Sequence, residues 1–268
     1  VKTYENEGFL CIEDPTRAVV AMSALMFFGE KFNVNKIKKD FKKNKYFINN
    51  PQKKLNEIDC SEILRSANLP IVKSSRIENI EDVSSIYEND NNKYVMKILS
   101  ADIQHKTDVG GVILNIENID QAKEAFKKIN KNVREKAPKA IIDGMMISPM
   151  IKGGIECILG AKIDPVFGPI VMFGLGGIYT EVMKDISFAE APVSSKKAEK
   201  MISSLKSKDV FFGARGQPPV DIKSLIEAIV NLSNLIAANS DWVDQVEMNP
   251  ILVSENRVIA LDALIVTK

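Results

Sequence analysis

The sequence holds a single histidine, a single tryptophan and three cysteines in 268 residues. Cys11, Cys60 and Cys157 stand far apart, are odd in number and include no Cys-x-x-Cys pair. Neither a disulfide framework nor a zinc site is therefore expected, and a reducing cytoplasm fits best. An excess of one charge is missing too. Thirty-six basic against 35 acidic side chains leave a formal net charge of +1, so no global field points to nucleic acid or to a membrane surface. Nor is there a long hydrophobic run near the N-terminus. The longest, Ala18 to Phe28, covers 11 residues with Ser23 inside it, too few to cross a bilayer. It follows Asp14-Pro15, a cap and a proline at the first helical position, and is expected as a buried helix. The chain starts with Val, as expected of a sequence that begins inside a longer natural one.

What is present reads as an ordinary globular chain, 45% hydrophobic and 26% charged, long enough for one large domain or two small ones. Residues 1–35 are expected as the tail of a preceding domain, and the lysine-rich stretch at 36–52 as a solvated linker. A short helix is expected over Asn56–Asn68, followed by "LPIVKS", extended by Pro70. Beyond it, strand-like runs occur at Tyr94–Leu99, Gly111–Ile116, Gly144–Met150, Glu156–Ile163, Pro169–Gly174, Val246–Val253 and Val258–Val266. Helical spacing occupies Asp120–Lys136, Ser195–Ser207 and Asp221–Asn239, the last with Leu225, Ile229, Leu232 and Ile236 at steps of three and four. Such mixing argues for an α/β or α+β fold with at least two sheets.

Three constellations carry chemistry. The first is "YVMKILSADIQHKTDVGG", in which Lys97 lies on a strand among Val95, Met96 and Ile98, and His105 lies in the polar turn that follows. A strand lysine among apolar neighbours either snorkels to an exposed face or meets an anion such as a nucleotide phosphate. An imidazole in a glycine-hinged loop can serve as nucleophile or proton carrier, or be a plain surface side chain. The second is "DPVFGPIVMFGLGGIYTEVMKD", where Gly174, Gly176 and Gly177 allow backbone N–H groups to approach an anion. It matches neither a Walker A loop nor a G-x-G-x-x-G fingerprint, and a tight connection between strands would use the same glycines. The third is the hairpin "VEMNPILVSENRVIALDALIV". Glu247 and Asn249, two apart, share one face, and Asp262 stands on the return strand. Oxygen ligands on adjacent strands suit Mg²⁺.

Taken in order, "MKILSADIQHKTDVGGV", "GIECILGAKIDPVFGPIVMFGLGG", "GARGQPPVD" and "EMNPILV…ALDA" resemble the ATP-grasp portion of NDP-forming acyl-CoA synthetases. That group includes ADP-forming acetyl-CoA synthetase and, more distantly, succinyl-CoA synthetase. The resemblance covers roughly 53–268, and "NEGFLCIEDPTRAVVAMSAL" is similar to the end of the CoA-ligase half that precedes it in single-chain members. It implies an ATP-grasp fold with an N-terminal lobe at 53–148 carrying the His loop and a C-terminal lobe at 149–268. It implies ATP or ADP and Mg²⁺ as cofactors, and the reaction acyl-CoA + ADP + phosphate = acid + CoA + ATP.

By the same resemblance, His105 would carry a phosphoryl group, Glu247 would face the phosphohistidine, and Arg215 would belong to the catalytic set. Lys97, Glu156, Gly176 and Gly177 would contact the nucleotide, and Asn249 and Asp262 would bind the metal. The expected partners are the nucleotide and the CoA-ligase half, within an oligomer, with no nucleic acid or membrane. Two other readings compete: a non-catalytic nucleotide-sensing module, as in acetyltransferase fusions, and a carboxylate–amine ligase, which would have no use for a loop histidine.

Overall fold

The computed structural model describes residues 12, 14–32, 46–50, 54–86, 92–103, 105–177, 185–213, 216 and 218–268. The chain divides after Phe41 into two units. In the first, helix α1 (Pro15–Phe32) begins where the cap and the proline predict. Asp14 Oδ1 accepts the N–H groups of Thr16 (2.7 Å) and Arg17 (3.2 Å). The burial expected of it is not found: Val19, Val20, Met22, Leu25 and Met26 are 62–68% exposed among the described residues.

In the second unit, α2 (Glu57–Ser66) is started by a reciprocal capping box. Asn56 Oδ1 accepts from the N–H groups of Ile58 and Asp59, and Asp59 Oδ2 accepts from the N–H of Asn56. Strands β1 (Ser75–Ile77), β2 (Tyr94–Leu99), β3 (Val112–Ile116) and β4 (Gly144–Pro149) form an antiparallel sheet in the order β1-β4-β2-β3. A one-turn helix, α3 (Val83–Ile86), precedes β2, and α4 (Ile119–Lys136) covers one face. Helix α4 turns Ala122, Ala125, Ile129 and Val133 inward, onto Tyr94, Met96 and Ile98 of β2. Because side chains alternate along a strand, Val95 and Lys97 emerge on the opposite face of β2.

Strands β5 (Ile155–Asp164), β6 (Gly168–Leu175), β7 (Ile186–Glu190), β8 (Val243–Ser254), β9 (Arg257–Ala260) and β10 (Ala263–Thr267) build a six-stranded sheet. Its order is β10-β8-β5-β6-β7, with β9 also on β8, and every pairing is antiparallel. Helices α5 (Ser195–Ser203) and α6 (Ile222–Ala238) pack on it. Leu225, Ile229, Leu232 and Ile236 of α6 are all buried, and Phe173 of β6 meets Phe211 with ring centroids 5.7 Å apart.

The expected strand Val258–Val266 is broken at Leu261-Asp262 into β9 and β10. Both halves keep one register against β8, Ala260 opposite Ile251 and Ala263 opposite Met248, so Asn249 and Asp262 face each other across the break. Against β5 the same part of β8 holds an irregularity between the Cys157 and Leu159 pairings, which releases Asn249 and Pro250 from that ladder. The expected linker is ordered where it is described. The Tyr46 hydroxyl donates to Asn231 Oδ1 (2.8 Å), Asn239 Nδ2 donates to the Tyr46 carbonyl (2.7 Å), and the Trp242 indole donates to the Ile48 carbonyl (3.1 Å). Among the described residues no helix is long and apolar enough to cross a membrane.

Candidate functional site

Lys97 sits at the centre of β2 with its side chain 11% exposed, on the face away from α4. An ammonium there must find partners. Its Nζ donates to Glu57 Oε1 at 2.8 Å, to the Leu261 carbonyl at 3.0 Å and to Asp262 Oδ2 at 3.1 Å. Lys106 completes the cluster, with Nζ 2.9 Å from Glu57 Oε2 and 3.9 Å from Asp262 Oδ1. The 2.9 Å approach is an ion pair without hydrogen-bond alignment, since Glu57 Oε2 takes no hydrogen bond. Two lysines and two carboxylates thus alternate, and the group is neutral as a whole.

The four charges do not share one environment. Burial pushes the Glu57 carboxyl up, against the pull of Lys97. Burial acts in the same sense on Asp262, but Lys97 and then Lys106 outweigh it and hold that carboxyl below its ordinary range. Burial would depress the Lys97 ammonium, and Glu57 and Asp262 together more than offset it, keeping the group above 10.5 and charged. The Glu57 side chain is 3% exposed and that of Asp262 34%, so one carboxylate lies behind the lysines and the other opens to solvent.

That opening is a cavity of about 450 Å³ lined by His105, Lys106, Glu57, Glu247, Asn249 and Asp262 among others. A second cavity, of about 240 Å³, shares Asp262, Thr107 and Val112 with it and adds Lys97, with apolar walls from Val95, Leu114, Met150 and Ile151. His105 is exposed, at the head of a turn in which the Asp108 N–H donates to the His105 carbonyl (3.2 Å). Along β8 itself, Asn249 Nδ2 donates to Glu247 Oε1 at 3.1 Å. An amide that gives its N–H to a carboxylate keeps its carbonyl oxygen for another partner.

The donor set fits a hard cation. Asn249, Asp262 and Glu247 offer oxygen only, and among the described residues no three His, Cys, Asp or Glu side chains come close enough to hold a metal by themselves. Mg²⁺ is commonly held this way, by one or two protein oxygens with phosphate and water supplying the rest.

Of the residues singled out in the sequence, the fold brings His105, Glu247, Asn249 and Asp262 to one cavity, and Lys97 joins them through Asp262. Glu156, Gly176 and Gly177 form a group of their own and line neither cavity. The Gly176 N–H donates to the Glu156 carbonyl at 2.7 Å, and a Cβ on Gly177 would stand 3.1 Å from Glu156 Oε2. The continuation of that glycine loop, 178–184, and Arg215 lie outside the described residues. Sequence reasoning missed Glu57 and Lys106. The signals for them were present: the Asn56/Asp59 capping box puts Glu57 at the first helical position, and Lys106 adjoins His105.

Comparison with known proteins shows the family of the chain. The model of the ATP-grasp domain matches residues 47–267. Acetate–CoA ligase [ADP-forming] I subunit beta of Pyrococcus furiosus is 40% identical over 207 residues, which are 77% of this chain and 89% of that one. The chain belongs to the ATP-grasp family of ADP-forming acetyl-CoA synthetases. A further relative of this ATP-grasp domain, the 4-hydroxybutyrate–CoA ligase [ADP-forming] of Nitrosopumilus maritimus, is 41% identical over 228 residues. The match takes in 84% of this chain but 32% of that one, so the chain spans about a third of that relative. Among solved structures, the dinucleotide-forming acetyl-coenzyme A synthetase 1 of Ca. Korarchaeum cryptofilum, in complex with coenzyme A, Ca-AMPCP and HgCl⁺, superposes with a TM-score of 0.75. It is 32% identical, with 80% of this chain and 93% of that one covered. Another structure of that synthetase, with coenzyme A and Mg-AMPPCP and its phosphohistidine segment pointing towards the nucleotide binding site, gives a TM-score of 0.66. There the identity is 29%, over 79% and 92% of the two chains.

Proposed function

We propose that this ATP-grasp domain moves a phosphoryl group between a histidine and a nucleotide, as one half of the reaction acyl-CoA + ADP + phosphate = acid + CoA + ATP. The observation that carries the reading is the shared cavity: His105, Glu247, Asn249 and Asp262 line it together, beside the buried Lys97. A carboxylate–amine ligase would phosphorylate its carboxylate directly and gives no reason for an exposed histidine at that place.

In the ATP-consuming direction, an imidazole nitrogen of His105 attacks the γ-phosphorus. The N–P bond forms as the bond to the β–γ bridging oxygen breaks, and ADP leaves with the electron pair. Glu247 accepts the imidazole N–H and so fixes which nitrogen is the nucleophile. Lys97 meets the charge spread over the phosphoryl oxygens, in a partly dry cavity where a fixed cation acts strongly. Asn249 and Asp262 would hold Mg²⁺, which supplies charge neutralisation and alignment of the phosphates. The two glycines by Glu156 would bring backbone N–H groups to the nucleotide. The reverse sequence makes ATP. Acyl transfer to and from CoA falls to the CoA-ligase half, a partner this domain must dock against, and the nucleotide and CoA pools that it needs belong to the cytoplasm.

Incubation with γ-labelled ATP and Mg²⁺ tests the reading. Acid-labile label is expected on the wild-type chain and absent from His105→Ala. Equal label in both would reject His105 as the acceptor.

A further inference from the structure

Of the charged side chains at the cavity, Glu57, Lys106 and Asp108 have no part in the chemistry above, and the first two are ion-paired to each other. We infer that Lys106 is a second phosphate-binding cation of this site and that Glu57 is the positioning residue that aims both Lys106 and Lys97 at the ligand; this rests on the placement of nucleotide phosphates in the shared cavity.

The geometry is asymmetric in a way that a purely structural ion pair would not need. Glu57 divides its two oxygens between the lysines, Oε1 to Lys97 at 2.8 Å and Oε2 to Lys106 at 2.9 Å, and its side chain is 3% exposed. It therefore lies on the protein side of both ammonium groups. Asp262 approaches the same two groups from the solvent side, at 3.1 and 3.9 Å, with 34% of its side chain exposed. Glu57 cannot be replaced by a ligand, whereas Asp262 can turn to a cation and leave the lysines to incoming anions. With Asp262 so engaged, Lys97 and Lys106 share the single rear carboxylate of Glu57, which leaves one positive charge of the cluster to be met by an anionic ligand.

Burying such a group for stability alone is a poor bargain. Taking several charges out of water costs about as much as their attraction returns, and apolar residues of like volume often do as well. The backbone also holds Lys106 in place rather than leaving it to a free loop. Its carbonyl accepts from the Gly111 N–H at 2.8 Å, and the Gly111 carbonyl accepts from Ile98 N of β2 at 2.7 Å. Gly111 permits this closeness, since a Cβ there would lie 2.6 Å from Ile98 Cγ2 and 3.0 Å from the Lys106 carbonyl. The residue next to the exposed His105 is thereby pinned while the imidazole stays free to meet the phosphoryl group.

Binding of ADP with Mg²⁺, and of adenosine, to the whole 268-residue chain by titration calorimetry tests this. Lys106→Met is expected to weaken ADP roughly tenfold or more, the worth of one charge-assisted contact, and to leave adenosine unchanged. Lys106→Arg, which keeps the charge, restores ADP. Glu57→Gln should reproduce the selective loss, and the shorter Glu57→Asp should show an intermediate one. Unchanged ADP affinity in Lys106→Met overturns the inference, as does an equal loss of ADP and adenosine, which marks a structural role only. If Glu57→Gln does not fold, Glu57→Asp decides for that residue, and wild-type ADP affinity there removes it. A wild-type chain that binds no ADP sinks the functional reading itself; one that binds ADP and labels His105, with Lys106→Met unaltered, sinks this inference alone.

Discussion

Glu57 Oε1 and Lys97 Nζ lie 2.8 Å apart although 40 positions separate them in the chain, and the side chains are 3% and 11% exposed. The contact joins the first turn of α2, a helix packed on β10, to β2, one of the two inner strands of the four-stranded sheet. One buried ion pair therefore ties the Lys97 face of β2, through α2, to the larger sheet.

Removing one partner strands the other. Lys97→Met leaves Glu57 buried with a weakened set of cations, and a loss of roughly 3 to 5 kcal/mol in unfolding free energy is expected. Adding Glu57→Leu should recover part of that loss, because a neutral apolar pair carries no desolvation penalty. Urea unfolding of the single and double variants measures it, and simple addition of the two losses would contradict the pairing.

Metal and nucleotide should stabilise together. At about a hundredfold excess over its dissociation constant, a ligand of the native state adds about 2.7 kcal/mol, which for a unit of this size raises the melting point by about 5 to 10 °C. Mg²⁺ with ADP is expected to produce that rise and ADP with a chelator a smaller one. Asp262→Asn and Asn249→Ala should erase the difference between the two conditions. A metal increment that survives both substitutions would move the cation elsewhere.

The glycine beside Glu156 has no room for a side chain. A Cβ on Gly176 would stand 3.0 Å from both Cys157 N and the Glu156 carbonyl carbon, backbone atoms of β5 that cannot step aside. Gly176→Ala is expected to cost roughly 1 to 3 kcal/mol. An unchanged denaturation midpoint would mean that β5 and the loop can separate without loss.

Acid should loosen the segment after the glycine loop. Burial would raise the Asp185 carboxyl, but the Ser207 hydroxyl and the N–H groups of Lys206 and Ser207 outweigh it, so its value falls below the ordinary 3.8. A carboxyl depressed in the native state contributes its full stability above 3.8 and loses it as the pH falls through the native value. Asp185→Asn should thus be less stable than the wild type by roughly 1 to 3 kcal/mol at pH 7, with the gap closing in strong acid. Melting curves at pH 7 and near pH 3 decide it; a gap that widens with acid reverses the sign.

Much of the fold was legible because its signals are local. Strand-like runs marked β2, β5 and β8, and helical spacing marked α4 and α6. That Glu247 and Asn249 share a face near Asp262 could be read because side chains alternate along a strand and a hairpin has a register that its turn determines. The β7 strand, Ile186–Glu190, escaped: it is a short strand at the edge of its sheet, and its alternation is too brief to stand out before it pairs with β6. The exposure of α1 was not legible either, since an apolar helix reads the same whether or not something covers it.

By itself, the sequence determined the elements that depend on near neighbours: the capped helices, the strand runs, the glycine turns and the oxygen-bearing hairpin. Its ordered blocks also carried the family. Only the tertiary structure decided that Glu57 stands behind Lys97 and Lys106, that the hairpin breaks where Asn249 meets Asp262, and that His105 opens onto the same cavity. The reason is electrostatic and geometric: a buried charge is tolerable only where a distant segment supplies its counter-charge, and no local pattern states which segment that is.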